Sequence, residues 1–104
     1  KDLPLVVFDE IDTGVSGEGA DRVGDLLARM GKERQVVAIT HLPQIASKAK
    51  NHLLVSKSSE GDRVRTRIHL LDEQERVEAI ARMLSGKKTS QAALENAREL
   101  LKLR

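Results

Sequence analysis

An α/β fold is what this sequence predicts, and three observations predict it. Two short apolar, β-branched runs, Leu5 to Phe8 and Gln35 to Thr40, stand one helix-length apart, as the strands of a parallel sheet do. A later stretch, Arg63 to Leu70, alternates residue by residue between uncharged and basic side chains, the period of an antiparallel strand with one wet side. Two amphipathic stripes of helical spacing close the chain.

Taken in order, Leu5 to Phe8 reads as a strand covered on both faces, with Pro4 at a first position where no ladder donor is needed. Ser16 is placed to cap a helix in which Ala20, Val23, Leu27 and Met30 fall close to one face, and Gly31 stands at its C-terminal end. The run "QVVAIT", Gln35 to Thr40, is a second buried-type strand. Its distance from the first leaves room for one crossover helix, which makes a βαβ unit. "HLPQIASKAK" then turns into a short helix with Pro43 at its first position.

From Asn51 the period changes. "HLLVSK" and "RVRTRIHLL" flank "SSEGD", a polar five-residue loop with Gly61, and together they predict an antiparallel hairpin at a sheet edge. Its second strand puts Val64, Thr66, Ile68 and Leu70 on one face and Arg63, Arg65, Arg67 and His69 on the other. Asp72 with Glu75 three residues later has the form of a capping box, opening a helix with Val77, Ile80, Ala81 and Leu84 on its apolar stripe and Ser85-Gly86 at its stop. A last helix runs from about Ser90 to Leu103, with Ala93, Leu94, Ala97, Leu100 and Leu101 on its apolar side. No repeat, low-complexity stretch or linker divides the chain.

Composition narrows the function classes. The 104 residues are 39% hydrophobic and 33% charged, a globular balance, with no run near the roughly 20 apolar residues a membrane span needs. The first residue is Lys1 rather than Met and the strand pattern starts almost at once, so the chain reads as a segment of a larger protein. No stretch reads as a signal peptide, and the absence of cysteine removes disulfides and thiolate metal sites, which fits a cytoplasmic protein. A net charge of +2 is too small to argue for nucleic acid by itself. Phe8 is the single aromatic residue, which excludes a base-stacking platform.

The chemistry-bearing stretch is "PLVVFDEIDTGVSG", in which an apolar strand ends in two neighbouring carboxylates. Ligands of parallel sheets bind outside the carboxyl ends of the strands, where Asp9 and Glu10 fall. An aspartate there suits a nucleotide-bound Mg²⁺, which prefers oxygen ligands, and the following glutamate suits the orientation or deprotonation of an attacking water. Two solvated charges at a strand end are the plainer alternative. The second strand ends in Thr40-His41, so His41 emerges at the same edge, where an imidazole donor suits a phosphate oxygen or simply begins a loop. His52 and His69 lie in the hairpin region and read as structural. Gly14 and Gly17 permit a sharp turn beside the acidic pair, either to admit a docking surface or as an ordinary connection.

"VVFDEIDTGVSG" resembles the Walker B and D-loop segment of the RecN family, bacterial double-strand-break repair ATPases related to the SMC proteins. "AITHLPQIASKAKNHLLVSK" resembles that family's switch-histidine segment, and "RVEAIARMLSG" followed by "ARELL" resembles its C-terminal end, so the likeness spans residues 3 to 101. It implies the C-terminal half of an ABC/SMC-type ATPase head: parallel strands with a crossover helix, an antiparallel edge hairpin and two C-terminal helices. Residues 1–104 would form one C-terminal segment of a phosphate-loop NTPase head, without the N-terminal half and the coiled coil. The resemblance makes Asp9 the aspartate that supports Mg²⁺ through water, Glu10 the catalytic glutamate and His41 the switch histidine near the γ-phosphate. Thr13, Gly14, Val15 and Ser16 take the D-loop place against an opposing head, and Asp12 an acidic position of the wider motif. Ser16 stands where SMC proteins typically carry aspartate.

ATP and Mg²⁺ are thus the implied cofactors. The implied partners are the N-terminal half of the same head, a second head joined by ATP-dependent dimerisation, and DNA in the full-length, nucleoid-associated protein, with no membrane. The sequence contains no G-x-x-x-x-G-K-[ST], so the phosphate cradle must come from elsewhere and the segment alone is expected to be inactive. The alternative is a non-catalytic protein-interaction module, or a DNA-contacting one using the Arg63, Arg65, Arg67 stripe, which otherwise serves as a charged edge that resists strand pairing.

Overall fold

A computed structural model of the chain describes residues 5–9, 17–86 and 88–102. The element order is β1 (Leu5–Asp9), α1 (Glu18–Met30), β2 (Gln35–Ile39), α2 (Pro43–Ala46), β3 (Leu53–Glu60), β4 (Arg63–Leu70), α3 (Glu73–Ser85) and α4 (Gln91–Lys102). β1 and β2 pair in parallel, from Leu5 opposite Gln35 to Asp9 opposite Ile39, with α1 as the crossover. β3 and β4 form a separate antiparallel pair. The α/β class, the βαβ unit, the hairpin and the two C-terminal helices are therefore as the sequence predicts.

The core lies between α3 and α4. Ile80 and Ala81 meet Ala93 and Ala97, with Val77, Leu84, Leu94 and Leu100 packed around them. Three alanines at the crossing let the helix backbones approach closely, and the larger side chains fill the margins. α3 begins with the anticipated capping box. The Glu75 amide donates to Asp72 Oδ1 at 2.8 Å, and the Asp72 amide donates to Glu75 Oε1 at 3.0 Å. Gly86 stops α3 at φ 83°, a left-handed position that suits glycine. α4 is capped by Ser90, whose Oγ accepts from the Ala93 amide at 3.1 Å.

Three local expectations change. The helix α1 opens on Gly17 as its N-cap, φ 54°, where the sequence predicts a cap at Ser16, a residue outside those described. A left-handed glycine turns the chain into the helix, and Glu18 and Asp21 in the first turn complement its dipole instead. The hairpin loop is Gly61-Asp62 rather than the five residues "SSEGD", because the ladder continues to Glu60 opposite Arg63. Gly61 takes φ +62°, as a tight hairpin turn requires. The parallel strands are covered on one face, not two. Val6, Phe8, Val36 and Ala38 are half-buried on one side, while Leu5, Val7, Val37 and Ile39 stand exposed on the other.

The hairpin is exposed on both faces. The register puts Leu53, Val55, Val64, Ile68 and Leu70 on one side and Arg63, Arg65, Arg67 and His69 on the other. Val64 and Ile68 are each 68% exposed. Alternation in the sequence thus gives the two faces correctly, but no described element covers the apolar one.

Candidate functional site at the carboxyl end of the parallel pair

β1 exists because a β-branched apolar run pairs with another of the same kind, and the parallel register ends with Asp9 opposite Ile39. Past Ile39 the chain continues through Thr40 to His41 and turns. The Leu42 amide donates to Thr40 Oγ1 at 3.0 Å, which closes a small side-chain turn around His41. His41 is exposed, and Pro43 starts α2 two residues later. Asp9 and the His41 segment therefore leave the same carboxyl end of two adjacent parallel strands, where a ligand crevice forms in open α/β sheets. Glu10, Asp12, Thr13, Gly14, Val15 and Ser16 lie outside the described residues.

The segment carrying His41 is fixed from two sides. On the α1 side, Gly24 is buried, and a Cβ placed there would lie 2.8 Å from Lys48 Cγ and 3.0 Å from the Gln44 carbonyl oxygen. The glycine thus permits a close crossing of α1 and α2. Lys48 Nζ then reaches Asp25 at 2.9 Å and Asp21 at 3.2 Å, with the lysine side chain only 12% exposed. The Asp25 hydrogen bond, with help from Asp21, holds the ammonium above its ordinary 10.5 against the opposing effect of burial. That contribution to stability is complete below 10.5 and fades only as pH rises through the folded value, so it is constant near neutrality.

On the α3 side stands Arg76, buried at 6% exposure. Its Nη2 donates to the carbonyls of Ala46 at 3.1 Å, Ser47 at 3.4 Å and Ala49, and Nη1 donates to Lys50 at 3.4 Å. These carbonyls cluster where α2 ends, and the guanidinium fork gathers them together, the Ala46 oxygen also accepting from the Ala49 amide at 3.3 Å. His52 lies just beyond. Burial, with the Arg76 charge as a second cause, pushes its imidazole below the ordinary 6.5, and its buried Nδ1 has no partner among the described residues.

Sequence reasoning singles out Asp9 and His41, which leave one end of the parallel pair, but misses Lys48, Gly24 and Arg76, which brace the His41 segment. A signal existed for the last: Arg76 precedes Ile80 by four residues and so sits on the buried stripe of α3, where a charge must find partners. Asp21 and Asp25 are likewise one turn apart, yet their partner comes from another element.

The donor set at the strand end is carboxylate and imidazole. Among the described residues no group of three or more His, Cys, Asp or Glu side chains comes together as a metal cage. A hard cation that arrives with phosphate ligands and keeps its waters needs only one or two carboxylates, a requirement that an aspartate at this strand end suits. A groove elsewhere, between the start of α3 and the end of α4, is lined by Lys50, Asp72, Glu73, Arg98 and Lys102. It contains none of the sequence-predicted site residues and mixes both signs of charge, so the strand end remains the site of interest.

No protein-family model matches the chain. Among curated proteins it is 52% identical over 100 residues to the DNA repair protein RecN of Deinococcus radiodurans, covering 96% of this chain and 18% of that protein. It is 43% identical over 99 residues to RecN of Streptomyces coelicolor, covering 95% and 17%, and 40% identical over 100 residues to RecN of Vibrio cholerae, covering 96% and 18%. The chain spans less than a fifth of the length of these relatives. A solved chain from work on ATP-driven dimerization and DNA-stimulated activation of SMC ATPases superposes with a TM-score of 0.62 at 23% identity, covering 85% of this chain and 52% of that one. That likeness shows the shared fold.

Proposed function

This chain belongs to the RecN family, matching the C-terminal part of those DNA repair proteins, and from that premise we propose that it supplies the C-terminal half of an SMC-like ATPase head. The observation that carries the proposal is the parallel register that ends with Asp9 beside Ile39, so that β1 and the His41 segment open onto one edge. In this reading Asp9 holds a water of the Mg²⁺ that accompanies ATP, and that cation neutralises phosphate charge when bound. Glu10 orients and deprotonates the attacking water. His41 donates a hydrogen bond toward the terminal phosphate oxygens. Asp12 adds negative charge beside the pair, and Thr13, Gly14, Val15 and Ser16 meet the opposing head.

The lack of a phosphate loop makes this half dependent on the other. Its partners are the N-terminal half of the same head, a second head recruited by ATP, and DNA, and the working protein acts on the nucleoid. The uncovered apolar faces support this reading. Leu5, Val7, Ile39, Val64 and Ile68 are each more than half exposed, and apolar surface of this kind suits cover by another polypeptide.

Reconstitution tests the proposal. The segment alone is expected to leave ATP intact, and mixing or co-expression with the upstream half of the protein is expected to produce Mg²⁺-dependent turnover and a stable complex. Turnover by the segment alone, or no association with the upstream half, contradicts it.

A further inference from the structure

We infer that Arg76 is a positioning residue for the His41 segment, coupling the α3–α4 pair to the nucleotide edge; this rests on the function proposed above for His41. The geometry is direct. Only the four residues of α2 and one turn separate His41 from the carbonyls that Arg76 holds, at Ala46, Ser47, Ala49 and Lys50. A helix this short has too few internal hydrogen bonds to fix its own direction, so its placement comes from tertiary partners. Arg76 grips its C-terminal end, Lys48 and Gly24 hold its flank on α1, and the Leu42 to Thr40 bond closes the corner at its start. A shift of the C-terminal end therefore moves the whole rod, and with it His41.

Arg76 is itself placed rigidly. It lies one turn inside α3, its amide bonded to the Asp72 carbonyl at 2.9 Å behind the capping box, and one turn before Ile80 in the α3–α4 core. The chain of contact thus runs from that core through the guanidinium to α2 and to the end of β2. A lysine carries the charge but not the fork, and cannot serve carbonyls spread over five residues.

A double-mutant cycle in the full-length protein tests this. Arg76→Lys is expected to lower kcat for ATP about tenfold with KM changed less than about twofold, since misplacing a donor affects the transition state more than binding. In a His41→Ala background the same change is expected to have no further effect on kcat. Hydrogen exchange of the amides of residues 47 to 51 is expected to speed up in both backgrounds. If Arg76→Lys lowers the yield of folded protein, Arg76→Gln, which removes the buried charge and keeps an amide donor, serves in the same cycle. Equal losses from the Arg76 change with and without His41, or an unchanged kcat with faster exchange, overturn the inference, leaving Arg76 as a helix cap alone. A wild-type kcat in His41→Ala overturns instead the function on which it rests.

Discussion

His52 shows how one side chain responds to where the chain buries it. Its imidazole is half-buried beside the Arg76 guanidinium, so burial first and the arginine charge second make the charged ring harder to form in the fold than in the unfolded chain. A base held below its free value takes up fewer protons folded than unfolded, so stability is complete above 6.5 and is lost as pH falls from there to the folded value. His52→Leu is expected to flatten that acid-side loss, read as the denaturation midpoint between about pH 5 and pH 7.5. An unchanged slope would mean that another group carries it. His69 behaves differently. Its Nε2 meets Glu75 at 3.1 Å with both side chains open to solvent, so this link between β4 and the α3 cap is weak.

At the level of elements, the legible features are those set by local pattern, and the illegible ones need a second element. The strands, the α3 capping box, Pro43 at the first turn of α2 and the Gly86 stop all depend on neighbours within a few residues. Gly24 as a helix crossing, Lys48 between two aspartates and Arg76 over the end of α2 depend on which elements meet. The hairpin turn departs from expectation for another reason. Ser58, Ser59 and Glu60 read as loop because they are polar, yet a strand exposed on both faces has no need of apolar residues. That same exposure leaves Arg63, Arg65 and Arg67 in a row on one face of β4. If they bind DNA in the full-length protein, replacing all three with serine is expected to weaken binding and reduce the salt slope by about 0.9 for each phosphate no longer neutralised. Unchanged binding would leave the arginines as edge protection against strand pairing.

For the molecule as a whole, the described elements divide into parts with and without a closed core. The parallel pair and the hairpin each present an uncovered apolar face, while α3 and α4 have a closed core of their own. This anatomy suits the half-head proposed above, whose sheets other polypeptide would complete. Of the candidate site, the strand end that carries Asp9 and the neighbouring His41 segment are legible for the same reason that their partner surface is not. Acids at the end of a buried-type strand announce themselves in the sequence, whereas a face that looks buried says nothing about which chain buries it.

The central claim is that Asp9 and Glu10 act on a Mg²⁺-bound triphosphate, and steady-state ATP hydrolysis by the full-length protein carrying Glu10→Gln tests it most directly. The account predicts a fall in kcat of about a hundredfold or more with ATP still bound, the loss expected when a general base is removed. A kcat within about twofold of the unaltered protein, well short of the loss a missing base causes, would contradict it.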